Sequence, residues 1–228
     1  MERTTRSRAG RLSCLRATVV LVELTVALGL LCAFVGLAGR VMGEQAFVFD
    51  LPVMQALRRL ESSWLTKAMQ VVTVSASTVG TIVLALVLCI IWWRVGRRSD
   101  AIVLALGLIV SAALGQALKH IFVRPRPDLL PWLTAAHGWS FPSGHTLNAV
   151  TLDGLLAWLI GRRLGGWRRV ALAVGLGLWA VLVGLSRIYL GVHYLSDVLA
   201  SLAVGGLFLL AVRRIDCLTR DEKGRKRA

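Results

Sequence analysis

Long apolar runs, separated by short polar and basic segments, dominate the chain. Six runs are long enough, or nearly so, to cross the hydrocarbon core of a bilayer as helices. They cover residues 17–39, 71–93, 101–118, 144–160, 170–185 and 194–212. The pattern predicts an all-α, polytopic membrane protein with six transmembrane helices in one domain, residues 17–212. A basic N-terminus (1–16) and a basic tail (213–228), which we expect to be disordered, flank this domain.

The first apolar run has two interpretations. Gly36, Leu37 and Ala38 form a small-residue sequence that could be the cleavage site of a signal peptide. The run is long for the apolar part of a signal peptide, which favours an uncleaved membrane anchor. Glu23 lies inside this run, and we expect it to find a partner within the helix bundle.

Two connections between the runs differ from simple turns. Between residues 40 and 69, apolar residues recur at spacings of three and four, which predicts a short amphipathic helix lying on the membrane. These residues are Phe47, Leu51, Met54, Leu57 and Leu60. The connection 121–142 is broken by prolines at positions 125, 127 and 131, which cannot continue a helix, and it ends at a fourth proline, Pro142.

Composition and charge narrow the class of protein. The chain is 56% hydrophobic, with a mean hydropathy of +0.69, which excludes an ordinary soluble domain. Its net charge of +15 could suggest nucleic acid, but 19 of the 27 Lys and Arg lie in the two termini and in turns 94–100 and 161–169. The positive-inside rule then places both termini in the cytoplasm. The expected partner of these charges is the anionic lipid surface, not nucleic acid.

The four cysteines predict neither a disulfide framework nor a zinc site. They lie at positions 14, 32, 89 and 217, without the spacing of metal ligands and outside the predicted external loops.

The segment 186–197, which reads S-R-I-Y-L-G-V-H-Y-L-S-D, carries the first candidate chemistry. If the chain is helical here, His193 and Asp197 share one face at a spacing of four. The carboxylate can then fix the imidazole tautomer and leave the other ring nitrogen free to act as a nucleophile. Arg187 has a guanidinium suited to two phosphate oxygens. A structural hydrogen bond is the ordinary interpretation of the His–Asp pair alone.

Two further segments place polar groups on the same predicted external side. Lys119 ends the third run, and Arg126 lies in the proline-rich connection that follows; alone, they could be cations at a membrane edge. Ser143, Gly144 and His145 open the fourth run, where an N-cap, free backbone N–H groups and the helix dipole form an anion site.

Other polar residues have no assigned role in the candidate site. Arg124 and Asp128 either pair or line the entrance to the site, or they are simply solvated. His120 and His137 are interpreted as surface or loop residues. Asp153, on the same helix face as His145, either makes a structural hydrogen bond or relays protons.

Together the three segments resemble the signature of the type 2 phosphatidic acid phosphatase family, the lipid phosphate phosphatase superfamily, which also contains the vanadium haloperoxidases. The matching elements are Lys119-x6-Arg126-Pro127, Pro142-Ser143-Gly144-His145 and Ser186-Arg187-x5-His193-x3-Asp197. Every signature position is present, in order, and through these motifs the resemblance covers about residues 101–212.

The resemblance implies a role for each site residue. His193 would be the nucleophile that forms a phosphohistidine, oriented by Asp197, and His145 the general acid and later the base. Lys119, Arg126, Ser143, Gly144 and Arg187 would bind the phosphate. Because fixed cations and a helix N-terminus can stabilise phosphoryl transfer, no metal or other cofactor is expected.

The expected substrate is a membrane lipid phosphate or diphosphate, hydrolysed at the extracytoplasmic face of the plasma membrane. Undecaprenyl-type polyprenyl diphosphate is the first candidate for a bacterial enzyme, and phosphatidylglycerophosphate and phosphatidic acid are alternatives. A lipid phosphotransferase and a non-catalytic lipid-phosphate binder or transporter are alternatives of another class. The sequence makes no prediction about the oligomeric state.

Overall fold

The computed structural model describes residues 2–45 and 47–225, with side chains described for residues 18–45 and 47–219. Within these residues the chain is all-helical, with no β-strand, which confirms the predicted fold class. The eight helices are α1 (Glu2–Met42), α2 (Asp50–Arg58), α3 (Ser63–Ser75), α4 (Thr78–Arg94), α5 (Arg98–Phe122), α6 (Gly144–Gly161), α7 (Gly166–Tyr189) and α8 (Leu195–Arg225).

Helix α6 lies at the centre of the bundle and packs against α4, α5, α7 and α8. Glycines on its neighbours allow this close approach. A Cβ atom at Gly115 of α5 would lie 2.8 Å from Leu147, and one at Gly205 of α8 would lie 2.7 Å from Val150. Any larger residue at these positions would push the helices apart.

Four helical segments are long and apolar enough to cross a membrane: 18–42, 98–122, 166–189 and 195–219. Helices α3 and α4 make a fifth candidate if the bent pair counts as one span. Helix α6, predicted as the fourth span, is not among them. It carries His145, Asn148 and Asp153, and these polar residues are accommodated because α6 is surrounded by other helices.

The second predicted span, residues 71–93, is not one continuous helix. Helix α3 ends at Ser75 and α4 begins at Thr78, and the two helices differ in direction by 51°. The Ser75 hydroxyl donates to the carbonyl of Val72 (2.8 Å), and Ser77 caps the N-terminus of α4. These short polar side chains compete for the backbone groups that a continuous helix would use.

A short helix in the predicted amphipathic stretch is present as α2, although it is only nine residues long. Met54 is buried, and Phe47 is buried just before the helix begins. Leu51 and Leu60, which were predicted to share this apolar face, are exposed. The position of α2 on a membrane surface stays a prediction.

The first and last helices, α1 and α8, carry charged residues that the sequence analysis singled out. The basic tail predicted as disordered is helical as far as Arg225, because α8 continues through it. Glu23 of α1 pairs with Arg213 (3.2 Å) and Arg214 (3.8 Å) of α8, so it has the partner expected within the bundle. Three of the cysteines (32, 89 and 217) are free, and the side chain of Cys14 lies outside the described residues.

Candidate active site

A cavity of about 700 Å³ forms where the end of α5, the start of α6 and the turn between α7 and α8 meet. Six of the eight predicted site residues line it: Lys119, Arg126, Gly144, His145, Arg187 and His193. The other two, Ser143 and Asp197, are fully buried next to it, where the backbone N–H of Ser143 donates to the Asp197 carbonyl (3.3 Å). The three sequence segments therefore come together in space.

His193 lies in the turn between α7 and α8, and not on a helix with Asp197 as the spacing of four suggested, because α8 begins only at Leu195. Its Nδ1 is 3.2 Å from Oδ2 of Asp197, which is in the first turn of α8. A carboxylate can only accept hydrogen bonds, so Nδ1 carries the proton and Nε2 keeps its lone pair. Gly191 makes the turn possible, because its φ of +78° is unfavourable for a residue with a side chain.

The second nitrogen of His193 faces a cation. Nη1 of Arg126 is 3.1 Å from Nε2, as expected if an N–H donates to the lone pair. Burial lowers the pKa of His193 to about 4; Asp197 raises the pKa, and the charges of Arg126 and Arg187 lower it. The imidazole is therefore neutral at physiological pH and can act as a nucleophile.

Asp197 accepts hydrogen bonds at both oxygens. Oδ2 accepts from the hydroxyl of Ser140 and from the backbone N–H of Tyr194 (3.0 Å) as well as from His193. Oδ1 accepts from Nη1 of Arg124 at 2.5 Å. With both oxygens occupied, the carboxylate has one orientation.

Backbone carbonyls of the 137–139 segment hold two of the phosphate-binding candidates. Arg126 donates through Nε to Gly138 (2.9 Å) and through Nη2 to His137 (2.8 Å). Lys119 donates to the carbonyl of Trp139 (2.5 Å). A lysine has three N–H donors, so two of Lys119's remain for a ligand. Burial lowers the pKa of Arg126, whereas the charge of Asp197 raises it.

Arg187 is the third cation of the cavity, and it is only 2% exposed. Nη1 donates to the hydroxyl of Thr73 on α3 (2.9 Å), while Nε has no hydrogen-bond partner among the described residues. A buried guanidinium N–H without an acceptor is unfavourable, and a bound oxyanion would supply that acceptor.

The N-terminus of α6 contributes backbone to the cavity. The Ser143 hydroxyl accepts from the backbone N–H of Thr146 (3.5 Å) and from its hydroxyl (2.9 Å), so it caps the helix. A phosphate-binding role for that hydroxyl stays a prediction. A Cβ at Gly144 would lie 3.7 Å from Cε of Lys119, so glycine leaves the backbone accessible at this point.

Several contacts of the site were not predicted. Arg124, whose role was left open, pairs with Asp197, and His137 lines the cavity. Thr73 and Ser140 were not identified at all. The position of Arg124 in the sequence R-P-R-P, two residues before Arg126, is the one signal that could have pointed to it.

Asp153 does not line the cavity. Its side chain is buried within α6, and Oδ2 has no partner among the described residues. In the part of the chain that the structure describes, no three His, Cys, Asp or Glu side chains form a candidate metal site.

Beyond the polar groups, the cavity continues as an apolar groove between α4 and α5. Its apolar wall has residues from both helices: Ile82, Ala85 and Leu86 of α4, and Ala105, Leu108, Ile109 and Ala112 of α5. Ala105 and Lys119 are 14 residues apart on one helix, so the groove extends about 20 Å from the cations. The geometry can hold an anionic group attached to a long apolar chain.

Comparison with known proteins agrees with this geometry. The sequence-family model described as PAP2 superfamily matches residues 100–217. Phosphatidylglycerophosphatase B of Bacillus subtilis (strain 168) is 28% identical over 169 residues, which cover 73% of this chain and 83% of that protein. Undecaprenyl-diphosphatase BcrC of the same organism is 33% identical over 129 residues, covering 53% and 61%.

Two solved structures share the fold. A transmembrane PAP2-type phosphatidylglycerolphosphate phosphatase from Bacillus subtilis superposes with a TM-score of 0.77 at 27% identity, covering 83% of this chain and 95% of that one. LpxE of Aquifex aeolicus superposes with a TM-score of 0.58 at 28% identity, covering 74% and 94%. The chain therefore belongs to the PAP2 superfamily, and the predicted class of enzyme, a membrane lipid phosphatase, is confirmed.

Proposed function

We propose that the protein hydrolyses a lipid phosphate or diphosphate at the extracytoplasmic face of the membrane through a phosphohistidine on His193. One observation carries the proposal. The cations Lys119, Arg126 and Arg187 and the unprotonated Nε2 of His193 face a single cavity. Binding an anion requires only the cations, whereas a neutral, oriented imidazole among them provides a nucleophile.

In the first step, the Arg126 N–H that donates to Nε2 turns to the bound phosphate; the freed lone pair of Nε2 attacks phosphorus, and the bond from phosphorus to the lipid oxygen breaks. His145, whose protonated form the negative charge of the bound phosphate favours, donates a proton to the leaving oxygen. The imidazole, now carrying the phosphoryl group on Nε2 and a proton on Nδ1, becomes cationic. Asp197 stabilises that charge through its hydrogen bond to Nδ1.

In the second step, His145 takes a proton from water as the water oxygen attacks the phosphoryl group. The phosphorus–nitrogen bond breaks, inorganic phosphate leaves and His193 regains its lone pair. Both steps place additional negative charge on the phosphoryl oxygens, which the three cations and the backbone at Gly144 stabilise without a metal ion.

The apolar groove between α4 and α5 supports a lipid as the substrate. It joins the cations directly, so a phosphate head could lie at Arg126 and Arg187 while the attached chain stays among apolar side chains. The sidedness rests on the distribution of Lys and Arg, which favours cytoplasmic termini, six spans and an external site. In this arrangement α3–α4 forms the second span and α6 the fourth.

Polyprenyl diphosphate, of the undecaprenyl type, is the first candidate substrate. The relatedness to undecaprenyl-diphosphatase BcrC supports it, and the greater coverage by phosphatidylglycerophosphatase B keeps phosphatidylglycerophosphate as the alternative. Phosphatidic acid is a further candidate. Each of these lipids carries a terminal phosphate, so the choice depends on the rest of the lipid.

Phosphate release by the purified protein in detergent tests the proposal. The substrates are undecaprenyl diphosphate, phosphatidylglycerophosphate and phosphatidic acid, each compared with the His193→Ala variant. We expect release with the wild type and a loss of at least about 10³-fold in the variant. Binding of these lipids without turnover would indicate a binder or transporter, and release that requires an alcohol acceptor would indicate a phosphotransferase.

A further inference from the structure

A cluster of buried polar groups joins α2 to Asp197. Asp50, the first residue of α2, is 4% exposed, and Ser196 is fully buried. Arg124, in the connection between α5 and α6, lies between them with a side chain that is 13% exposed. None of these three residues lines the cavity that holds the candidate nucleophile.

The guanidinium of Arg124 links two carboxylates from distant parts of the chain. Nη1 donates to Oδ1 of Asp197 at 2.5 Å, and Nη2 donates to Oδ2 of Asp50 at 3.0 Å. A planar fork can bridge two acceptors in this way, whereas a lysine ammonium cannot reproduce that geometry. The fork therefore fixes Asp197 relative to α2.

Ser196 completes the cluster. Its hydroxyl accepts from Nη1 of Arg124 (2.7 Å) and donates to Oδ2 of Asp50 (2.6 Å). Its backbone N–H donates to Oδ1 of Asp50 (2.8 Å). Asp50 therefore holds both the guanidinium and the first turn of α8, the helix that carries Asp197.

Two aromatic rings also contact the Arg124 guanidinium. Its central carbon is 4.2 Å from the ring centroid of Tyr194 and 5.6 Å from that of Phe47. Rings at these distances stabilise a cation. Phe47 is buried just before α2. The segment at the start of α2 therefore contacts the guanidinium at its edge, through Asp50, and at its face, through Phe47.

We propose that Asp50 and Arg124 are positioning residues that set the orientation of the Asp197 carboxylate and, through it, of His193. The proposal rests on the proposed function of His193. Arg124 occupies Oδ1 of Asp197, which leaves Oδ2 for the imidazole, the Ser140 hydroxyl and the Tyr194 backbone. Without the fork, the carboxylate could rotate and the imidazole would lose its fixed tautomer and direction.

The proposal separates catalysis from substrate binding. Because Asp50 and Arg124 do not line the cavity, their loss leaves the phosphate-binding cations in place. Misorientation of the nucleophile should therefore lower kcat and leave KM within about twofold. Small errors in the position of a reacting group can reduce a rate by about 10²-fold.

The test compares Asp50→Asn, Arg124→Met and the double variant, with farnesyl diphosphate in detergent micelles as the substrate. We expect each single variant to lose at least about 10-fold in kcat with little change in KM. If the two residues act as one unit, kcat of the double variant should be no lower than kcat of the less active single variant. Wild-type kcat in both single variants, or additive losses, would overturn the proposal.

Three further variants sharpen the test. Arg59→Gln removes an exposed cation at the other end of α2 and should retain wild-type kinetics. Arg124→Lys keeps the charge but not the fork, so full wild-type activity in this variant would overturn the bridging role. If the charged variants fail to elute as a single species, Ser196→Ala removes only a hydroxyl and should still lower kcat severalfold; an unchanged kcat would count against the proposal.

Failure of the proposed function would look different. In that case neither the wild type nor any variant would release phosphate from farnesyl diphosphate, undecaprenyl diphosphate, phosphatidylglycerophosphate or phosphatidic acid, and His193→Ala would be indistinguishable from the wild type. Failure of the positioning role alone would leave an active wild type, an inactive His193→Ala variant and unaffected Asp50 and Arg124 variants.

Discussion

At the scale of single residues, burial and the neighbouring side chains keep His193, the proposed nucleophile, neutral and oriented. Full burial disfavours the imidazolium, and the cations around Nε2 disfavour it further. Asp197 acts in the opposite direction, yet it also holds the proton on Nδ1. The result is an imidazole that stays neutral without losing its orientation.

This balance predicts the acid limb of the pH profile. The active form of His193 is unprotonated, and its pKa is lowered to about 4, so activity should fall only as the pH approaches that value. We expect kcat/KM, which reports the free enzyme, not to fall between pH 7 and about pH 5, and increasing protonation of His145, the proposed acid, would raise it over the same range. Thermal unfolding at each pH is the control, and a fall in kcat/KM near pH 6.5 by the intact protein would contradict the prediction.

Ser140 provides a second residue-scale prediction. Its hydroxyl donates to Oδ2 of Asp197 in a fully buried position. A hydrogen bond to a charged group contributes about 1.5–3 kcal/mol, so Ser140→Ala should lower kcat by roughly 10-fold or more. Steady-state kinetics beside Thr134→Ala, in the same connecting segment, would check this, and equal rates in the two variants would argue against a role for Ser140.

The candidate site could be predicted in part because its core residues lie in short motifs. Ser143, Gly144 and His145 are consecutive, and His193 and Asp197 are four positions apart. The supporting contacts lack such a signal. Ser140 lies 57 positions from Asp197, and Asp50 lies 146 positions from Ser196, so only the folded chain brings them together.

At the scale of helices, the turn-like region around Ala76 was not recognised in the sequence. Ser75, Ala76 and Ser77 are small, so they do not interrupt the apolar run strongly enough to predict a break. Their effect depends on tertiary contacts, because Asn148 of α6 donates to the carbonyl of Ala76 (3.2 Å) and satisfies a group that the break exposes.

Helix packing yields a prediction with a matched control. Gly205→Leu would place a side chain against Val150 of α6, whereas Gly175→Leu would point into open space on α7. Overpacking typically costs about 1–3 kcal/mol. We expect a lower Tm for Gly205→Leu and a nearly unchanged Tm for Gly175→Leu, measured in the same detergent. Equal melting temperatures of the two variants would contradict the close packing of α6 against α8 at Gly205.

At the scale of the whole molecule, the distribution of Lys and Arg predicts which face of the membrane carries the site. Single cysteines at positions 128 and 165, introduced in a variant whose four native cysteines are replaced by serine, would test it. An impermeant maleimide added to intact cells should label the cysteine at 128 and leave that at 165 unlabelled until the cells are lysed. The reverse pattern would place the site on the cytoplasmic side.

Because the chain itself supplies three cations to the cavity, we predict that activity does not require a divalent metal. Phosphate release should be unchanged, within about twofold, after dialysis against EDTA, because Lys119, Arg126 and Arg187 supply the positive charge that a metal would otherwise provide. A parallel assay with added Mg²⁺ is the control. Loss of turnover in EDTA that Mg²⁺ restores would contradict the prediction.

The polar character of α6 has a consequence for how the protein is made. A helix carrying His145, Asn148 and Asp153 would partition poorly into lipid if it left the translocon by itself. Helices α5 and α7 are long and apolar enough to cross a membrane, whereas α6 is not. Both of them pack against α6. We therefore expect α6, which carries His145, to enter the bilayer together with these neighbours during synthesis.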